Sequence, residues 1–391
     1  MIYFDNAATS KYKPFSARHA AARAFKDSAN PGRGSHKDSI NGAITVQETR
    51  SAIASYLHAG DANVIFTKNC TEALNLAILG TAKPGGHVIT TTLEHNSVLR
   101  PLYMLQKEGL ISLTIIEPDQ YGITAFNIEN AIKDKTYLVA VTSMSNVTGY
   151  TPPLREIGSI CKKRGITFLV DGAQGIGHTT IDSKEMNIDI ICGAGHKALH
   201  GMQGTGFLLY RKGIFINPIM YGGTGTESDK LRQPSRPPES LESGTLNLPG
   251  IAALNQAVKW TEKHQTSLNK SITHISEYLY SELCKMDEIC LHSVKNAPIV
   301  TFSTVKIDCD TIANQLNEKY DIAVRYGLHC APLAIGREKS IPSVRISIDA
   351  NNTLRQARYL VRALKEILRK GKSSRVTIKS DDSTDSPLLP L

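Results

Sequence analysis

The stretch from residue 60 to residue 210 alternates short apolar runs with helix patterns, and this alternation constrains the fold more than any other feature. The β-branched run Thr136–Val141 is followed by the helix pattern Leu154–Arg164 and then by another apolar run, Ile166–Val170. Strands that alternate with helices predict a largely parallel sheet covered by helices on both faces. In such sheets ligands bind outside the carboxyl ends of the strands. The sequence therefore predicts an α/β fold with its functional site along that edge.

Polar side chains follow several of the predicted strands, at the place where such a site would lie. His95 follows the run His87–Thr91, and Asn146 follows the run Thr136–Val141. Because the carboxyl ends of parallel strands meet at one edge of a sheet, we expect these side chains to lie close together. The same position, after a strand or at the start of the helix that follows one, is shared by five residues: Thr71, His95, Asn146, Asp171 and Lys197.

Lys197 ends the stretch Asp189–Lys197, in which a short apolar run leads into glycines and then His196. A lysine after a buried strand and a tight turn is partly desolvated, and a neutral amine can form a Schiff base with an aldehyde. Asp171 ends another predicted strand, where a carboxylate can keep a pyridinium nitrogen protonated. Together they form the arrangement that pyridoxal phosphate needs. A surface lysine on a loop is the alternative interpretation of Gly-His-Lys by itself.

The segment that follows the predicted strand Asn63–Thr67 is a candidate phosphate site. Asn69 is a good N-cap, and Glu72 three residues later completes a pair typical of a capping box. The free amides of Cys70, Thr71 and Glu72 would point at a ligand above the helix. An ordinary capped helix without a ligand is the alternative.

The length of 391 residues is large for one hydrophobic core, so we predict a large domain and a smaller one. We place the large, cofactor-binding domain at residues 14–250, and the smaller α+β domain at residues 1–13 and 251–372. The end of the chain, residues 373–391, is rich in Ser, Asp, Lys and Pro and is predicted to be a flexible tail.

The net charge and the cysteine pattern argue against a nucleic-acid-binding protein, a disulfide-rich protein and a zinc-ribbon protein. The net charge of +9 comes from scattered basic residues apart from a cluster at 362–372, and no nucleic-acid motif accompanies it. Seven cysteines without a Cys-x-x-Cys pair argue against a disulfide framework and a zinc ribbon. Neither a signal peptide nor a transmembrane run is recognisable. We expect a cytoplasmic protein with no metal, nucleic-acid or membrane partner.

Taken in order, the motifs resemble those of the class V, fold type I pyridoxal-phosphate enzymes, specifically the cysteine desulfurase and selenocysteine lyase group. The resemblance covers about residues 1–370 and implies a large domain with a mostly parallel sheet flanked by helices, plus a small domain. Each segment alone is weak, whereas all of them in this order form a strong signal. The matching segments are Tyr3–Ala8, Asn69–Asn75, Leu93–His95, Val170–Gln174, Gly195–Lys197, Glu242–Thr245 and Arg325–Pro332.

The resemblance implies a role around the cofactor ring for each matching residue. Lys197 forms the Schiff base with pyridoxal 5'-phosphate and moves protons on the substrate. Asp171 pairs with the ring nitrogen, His95 stacks on the ring and relays protons, and Gln174 contacts the phenolic oxygen.

The resemblance also implies how phosphate and substrate are held. Thr71, His196 and the amide of Cys70 bind the phosphate, and Thr245 reaches it from a partner subunit, which implies a homodimer with shared sites. The carboxylate of the substrate amino acid is held by a set of polar residues: Asn146, Arg345 and Arg325.

Cys330 is the residue that would decide the reaction. It lies in Gly327–Pro332, a loop after the strand that ends at Arg325. An exposed loop near His329, Arg325 and a cationic site would favour a thiolate. The implied reaction converts L-cysteine to L-alanine, leaves the sulfur on Cys330 as a persulfide, and passes it to an acceptor protein or small thiol. A buried structural cysteine is the alternative.

Other functions with the same motifs stay open. A selenocysteine lyase would use the same residues, and another class V aminotransferase or lyase would not need Cys330. A low-turnover sulfur-relay or regulatory protein that binds the cofactor is an alternative from a different class.

The chain departs from the family pattern at two places near the site. Ala194 stands where relatives often have a serine that binds the phosphate, which should weaken binding by about 1 kcal/mol. Leu246 follows Thr245 where many relatives have proline, so the loop is expected to be less rigid. Neither change removes a reactive group.

Overall fold

The computed structural model describes residues 1–27, 29–31, 34–120, 122–336 and 341–373, with only the backbone described for 371–373. The predicted tail lies outside the described residues after Ser373. The helices are α1 (Phe15–Lys26), α2 (Lys37–Tyr56), α3 (Cys70–Gly80), α4 (Asn96–Lys107), α5 (Ala125–Asn130), α6 (Leu154–Arg164), α7 (Leu248–Leu283), α8 (Cys309–Tyr320) and α9 (Leu354–Ser373). The strands are β1 (Ile2–Tyr3), β2 (Asn63–Thr67), β3 (Gly86–Thr91), β4 (Ile111–Ile116), β5 (Thr136–Thr142), β6 (Thr167–Asp171), β7 (Ile190–Ala194), β8 (Gly206–Tyr210), β9 (Ile289–Leu291), β10 (Ile299–Thr304), β11 (Ile322–Ala323), β12 (Arg325–Gly327) and β13 (Ser343–Ser347).

A seven-stranded sheet with the order β2-β8-β7-β6-β5-β3-β4 organises the larger part of the chain. The pairs from β4 through β3, β5 and β6 to β7 are parallel. Only β8 runs the other way, and it pairs antiparallel with both β7 and β2. The predicted α/β class with a mostly parallel sheet is therefore confirmed.

The apolar runs are continuous because both faces of this sheet are buried. In β5, Leu138 and Ala140 contribute to one hydrophobic cluster, whereas Val139 and Val141 contribute to another. Successive side chains of a strand point to opposite faces, so the two clusters lie on the two sides of the sheet. Helices cover both sides, which removes the polar alternation of a half-exposed strand.

The strand order places a crevice between β3 and β5. The chain leaves β3 for β4 on one side, and it leaves β5 for β6 on the other. Such a reversal separates the two connections at the carboxyl ends of the strands and leaves room for a ligand. The segments that follow β3 and β5 contain His95 and Asn146.

The remaining strands form two smaller sheets. One is antiparallel with the order β12-β13-β10-β9, and the other pairs β1 with β11 in parallel. The sequence pattern predicts one strand over Ile322–Arg325, and this is wrong, because Ile322–Ala323 and Arg325–Gly327 belong to different sheets. Apolar residues continue through the change of sheet, so the pattern does not reveal it.

Helix α7 joins the two parts. Its first half contributes Leu248 and Leu254 to the cluster on the large sheet, and its second half contributes Ile275 and Leu279 to the cluster of the smaller part. The division of the chain at residue 250 stays a prediction. Within the described ranges, no helix combines the length and the apolar character that crossing a membrane would require.

We predict that Gly158→Ala destabilises the protein. Gly158 lies in α6, and a Cβ there would overlap the carbonyl oxygen of Met186 and press on the Phe168 ring. The backbone has to shift, at a cost of about 1–3 kcal/mol. We expect a thermal unfolding midpoint lower by several degrees. Ser159→Ala, an exposed position on the same helix, is the control, and an equal midpoint for both variants would contradict the prediction.

Candidate active site

A cavity opens at the carboxyl ends of β5, β6 and β7. It lies beside the crevice between β3 and β5, and residues from several elements contribute to its wall. The structure brings together most of the residues that the sequence marks as contacts of the cofactor or of the substrate. Those that line the cavity are Cys70, Thr71, His95, Asn146, Asp171, Gln174, His196 and Lys197.

The N-terminus of α3 forms one side of the cavity. Asn69 caps it by accepting from the backbone N–H of Glu72 at 2.9 Å. The Glu72 carboxylate accepts from the N–H of Lys68 at 2.6 Å, one residue before the partner that a capping box would have. The Thr71 hydroxyl lies 2.8 Å from the Ser97 hydroxyl. The first amides of a helix have no partner within it, so this terminus suits an anion.

The carboxylate of Asp171 and the amine of Lys197 come from the ends of two neighbouring strands. Asp171 is the last residue of β6, and Lys197 follows the end of β7. The Asp171 Oδ1 accepts from the Ala173 N–H at 2.9 Å and from the Cys70 thiol at 3.5 Å. Burial lowers the pKa of Lys197, and the negative charge of Asp171 opposes that shift. A lysine with a lowered pKa has more of the neutral amine that attacks an aldehyde.

Two histidines in the cavity wall are neutral. The backbone N–H of Ser97 donates to Nδ1 of His95 at 3.1 Å, which places the ring proton on Nε2. Burial is the main reason that the pKa of His95 is lowered. Burial also lowers the pKa of His196 to about 4, and its buried Nδ1 has no partner among the described residues. An unpaired buried nitrogen of this kind is ready for a ligand.

The residues present fit pyridoxal phosphate. Lys197 offers an amine for the aldehyde of the cofactor, and Asp171 offers a carboxylate for its ring nitrogen. The imidazole of His95 can lie against its ring. A helix N-terminus and the unpaired nitrogen of His196 are available for its phosphate. Among the described residues, no cluster of His, Cys, Asp or Glu could hold a metal ion.

Arg345 lies behind the cavity wall, where its side chain is 1% exposed. Its Nη1 donates to the backbone oxygen of Asn146 at 3.1 Å, and its Nη2 donates to Asp5 Oδ1 at 3.0 Å. The Nε is buried and has no partner among the described residues. In the antiparallel pair of β12 and β13, Arg325 stands directly opposite Arg345. Two guanidinium groups therefore face the same region.

Cys330 lies on an exposed loop beside these arginines. The Nη2 of Arg325 donates to the Cys330 sulfur at 3.4 Å. His329 and Cys330 have φ angles of 53° and 58°, in the left-handed region that few residues other than glycine adopt. The loop is held there by its carbonyls: Asn146 Nδ2 donates to His329 O at 2.8 Å, and the N–H of Asn96 donates to Cys330 O at 2.7 Å.

One predicted contact, Thr245, is placed differently from the others. Thr245 is exposed and lines a separate cavity with Gly204 and Glu242, so a single chain does not bring it to Lys197. Gln174 lines the main cavity, and its Nε2 donates to the backbone oxygen of Ala7 at 2.9 Å.

Sequence reasoning missed three residues that organise the site: Asp5, Glu94 and Ser97. Asp5 lies within the quoted segment Tyr3–Ala8, but its partner Arg345 is 340 residues away. Glu94 is fully buried, and its Oε1 accepts from the Thr91 hydroxyl at 2.7 Å and from another strand, at the Thr142 N–H, at 3.1 Å. For Asp5 and Glu94 the available signal was a polar residue within a matched segment, and Ser97 lies outside those segments.

Comparison with known proteins gives a consistent result. The sequence model named aminotransferase class-V matches residues 2–360. A probable cysteine desulfurase of Pyrococcus abyssi is 31% identical over 388 residues and covers 96% of both chains. A cysteine desulfurase IscS of Clostridium botulinum is 30% identical, with 94% of each chain covered. The apo structure of a cysteine desulfurase from Thermococcus onnurineus superposes with a TM-score of 0.87 at 29% identity, covering 94% of this chain and 95% of that one.

We predict that Glu94→Gln makes the stability of the protein less sensitive to pH. Burial raises the pKa of Glu94 from its ordinary 4.5 to about 8 in the folded state. Between these values the folded state keeps a proton that the unfolded state has released, so the wild type loses stability as pH rises from about 4.5 to about 8. Glutamine resembles the protonated acid and does not titrate.

The measurement is the unfolding midpoint of both proteins from pH 5 to pH 9. As pH rises, the unfolding midpoint of the wild type should fall relative to that of Glu94→Gln. Parallel pH curves for the two proteins would contradict the prediction.

Proposed function

The chain belongs to the aminotransferase class-V family, and from that membership and its site we propose that it is a pyridoxal-phosphate-dependent cysteine desulfurase. In this reaction L-cysteine becomes L-alanine, and its sulfur stays on an enzyme cysteine as a persulfide. The observation that carries the proposal is the exposed thiol of Cys330, held beside Arg325 and tied to the cavity wall by Asn96 and Asn146.

The cofactor ring would be held by four side chains of the cavity. Lys197 binds the aldehyde carbon, Asp171 pairs with the ring nitrogen, His95 stacks on the ring, and Gln174 contacts the phenolic oxygen. When bound, the cofactor supplies an electron sink for the bonds at the α carbon of the substrate. The proximity of Asp171 to Lys197 supports this arrangement.

The phosphate would be held at the N-terminus of α3, by Thr71 and the amide of Cys70, and by the unpaired nitrogen of His196. Ala194 contributes no hydroxyl there. We also propose that Thr245 of a second subunit completes the site, so that the active form is a homodimer. The exposure of Thr245 within one chain supports a role in a contact between subunits.

The substrate would be oriented by its carboxylate and activated by Lys197. Arg345 and Asn146 bind the carboxylate, and Arg345 can use its Nε, which has no partner among the described residues, for this purpose. Lys197 then removes the proton from the α carbon, which a neutral amine can do because burial lowers its pKa.

Sulfur transfer would take place on Cys330. Its thiolate attacks the sulfur of the substrate, a sulfur–sulfur bond forms, and the bond between that sulfur and the β carbon breaks. The electron pair of the broken bond remains on the carbon, which takes up a proton to become the methyl group of alanine. Arg325 stabilises the negative charge on the attacking sulfur. An acceptor protein or small thiol then removes the outer sulfur, in a cytoplasmic, reducing compartment that keeps Cys330 a free thiol.

We predict that Cys330→Ser lowers the release of alanine from L-cysteine by on the order of 100-fold or more, because the hydroxyl cannot accept the sulfur. Substrate binding should persist, since Arg345 and Lys197 are unchanged. Mass spectrometry after incubation with cysteine should find an added sulfur on Cys330 in the wild type. Cys290→Ser, another exposed cysteine, is the control and should retain activity. Alanine release by Cys330→Ser at the wild-type rate would exclude the assignment.

We predict that Lys197→Ala abolishes covalent attachment of the cofactor. Borohydride should bleach the visible absorbance of the wild-type protein and leave the cofactor on the peptide that contains Lys197, because reduction makes the carbon–nitrogen bond permanent. In Lys197→Ala the cofactor should separate from the protein on denaturation. Lys184→Ala, at an exposed lysine, should behave as the wild type does. Cofactor retained on denatured Lys197→Ala would identify a different lysine as the anchor.

A further inference from the structure

Arg345 is buried in a way that leaves part of its guanidinium group free. Five N–H groups are available on an arginine, and burial without partners is unfavourable for them. Here Nη1 donates to Asn146 O at 3.1 Å and Nη2 donates to Asp5 Oδ1 at 3.0 Å. The Nε is shielded from solvent and has no partner within the described part of the chain. Both terminal nitrogens are therefore held, and among the described residues only Nε lacks an acceptor.

Asp5 is placed against Arg345 by the backbone. After β1, the N–H of Phe4 donates to Ala323 O at 2.8 Å, and the N–H of Ser347 donates to Phe4 O at 2.7 Å. Asp5 itself forms a parallel bridge with Ser347, two residues after Arg345 on β13. The carboxylate is thus fixed by strand pairing and does not depend on a flexible loop.

The ion pair between Asp5 and Arg345 is buried on the arginine side, so it affects the charge of Arg345 more strongly than a surface ion pair would. Burial lowers the pKa of Arg345, and the largest opposing influence is the negative charge of Asp5. Arg325 stands opposite on the neighbouring strand and is also cationic. Only 1% of the Arg345 side chain is exposed, so solvent does little to compensate the two like charges.

We propose that Asp5 is a positioning residue, which acts through Arg345 to hold the guanidinium in the orientation that receives the α-carboxylate of the substrate. This rests on the proposed function, in which Arg345 binds that carboxylate. By accepting from Nη2, Asp5 prevents the planar group from turning and keeps the Nε edge available. A carboxylate that binds this edge can then form the paired hydrogen bonds that arginine makes best.

The test measures binding of the reaction product to the holoenzyme by isothermal titration calorimetry. Asp5→Ala should weaken the binding of L-alanine by at least about tenfold, because the guanidinium loses its orientation. L-Alaninamide, which has an amide in place of the carboxylate, should bind the two proteins equally. Asp5→Asn retains an acceptor oxygen but loses the charge, so it should bind L-alanine more tightly than Asp5→Ala and more weakly than the wild type.

A double-mutant cycle tests whether Asp5 affects the binding of L-alanine through Arg345. In an Arg345→Ala background, Asp5→Ala should cause no further loss, because the residue through which it acts is gone. Glu185→Ala removes a carboxylate that pairs with an exposed arginine, Arg155, and is the matched control without an effect. If Asp5→Ala does not fold, Asp5→Glu replaces it. The added methylene should displace the guanidinium and weaken L-alanine binding severalfold.

The inference is overturned if Asp5→Ala, or Asp5→Glu in its place, binds L-alanine as the wild type does. An equal loss for L-alaninamide, or an Asp5→Asn as weak as Asp5→Ala, also overturns it. A wild-type holoenzyme that forms neither alanine nor a persulfide from L-cysteine would overturn the proposed function, and this inference with it. If the wild-type holoenzyme turns over L-cysteine and Asp5→Ala binds L-alanine as the wild type does, only the inference about Asp5 is overturned.

Discussion

Exclusion of water from the carboxyl edge of the seven-stranded sheet is the constraint on which the site depends. Burial lowers the pKa of Lys197, His95 and His196, and it raises that of Glu94 to about 8. It also raises the pKa of the Cys70 thiol, which can therefore donate to Asp171. For each of these groups, burial disfavours the charged form and favours the neutral one. The same desolvation that disfavours charge prepares an amine for reaction with an aldehyde.

Polar contacts between distant parts of the chain connect the cavity that contains Lys197 with the loop that carries Cys330. The N-terminal segment is central to them, because Ala7 O accepts from Gln174 and the Ser10 N–H donates to His196 O. The same segment places Asp5 on Arg345. On the other side, Asn146 donates to the loop that carries Cys330. The sheet that holds the arginines is thereby fixed against the cavity that fits the cofactor.

The site combines a buried half with an exposed half, as sulfur transfer requires. Lys197 and Asp171 lie in the cavity, where exclusion of water favours their chemistry. Cys330 is exposed, with its backbone held in the left-handed region and its carbonyl bonded to Asn96. In the proposed reaction, this fixed and accessible sulfur would face the substrate on one side and an acceptor thiol on the other.

The amino-acid sequence by itself determined the α/β class, the cofactor and the residues that follow each strand, because apolar periodicity and strand-end position are local properties. It also predicted roles for Lys197, Asp171 and Cys330 from ordered motifs, and the structure brings Lys197 and Asp171 to one cavity. Only the tertiary structure decided the partner of Arg345, the role of Glu94 between two strands, and the sheet to which Ile322–Ala323 belongs. These depend on pairing between residues far apart in the chain, which no local pattern encodes. The shifts in pKa have the same origin, since they follow from what surrounds each group in the folded protein.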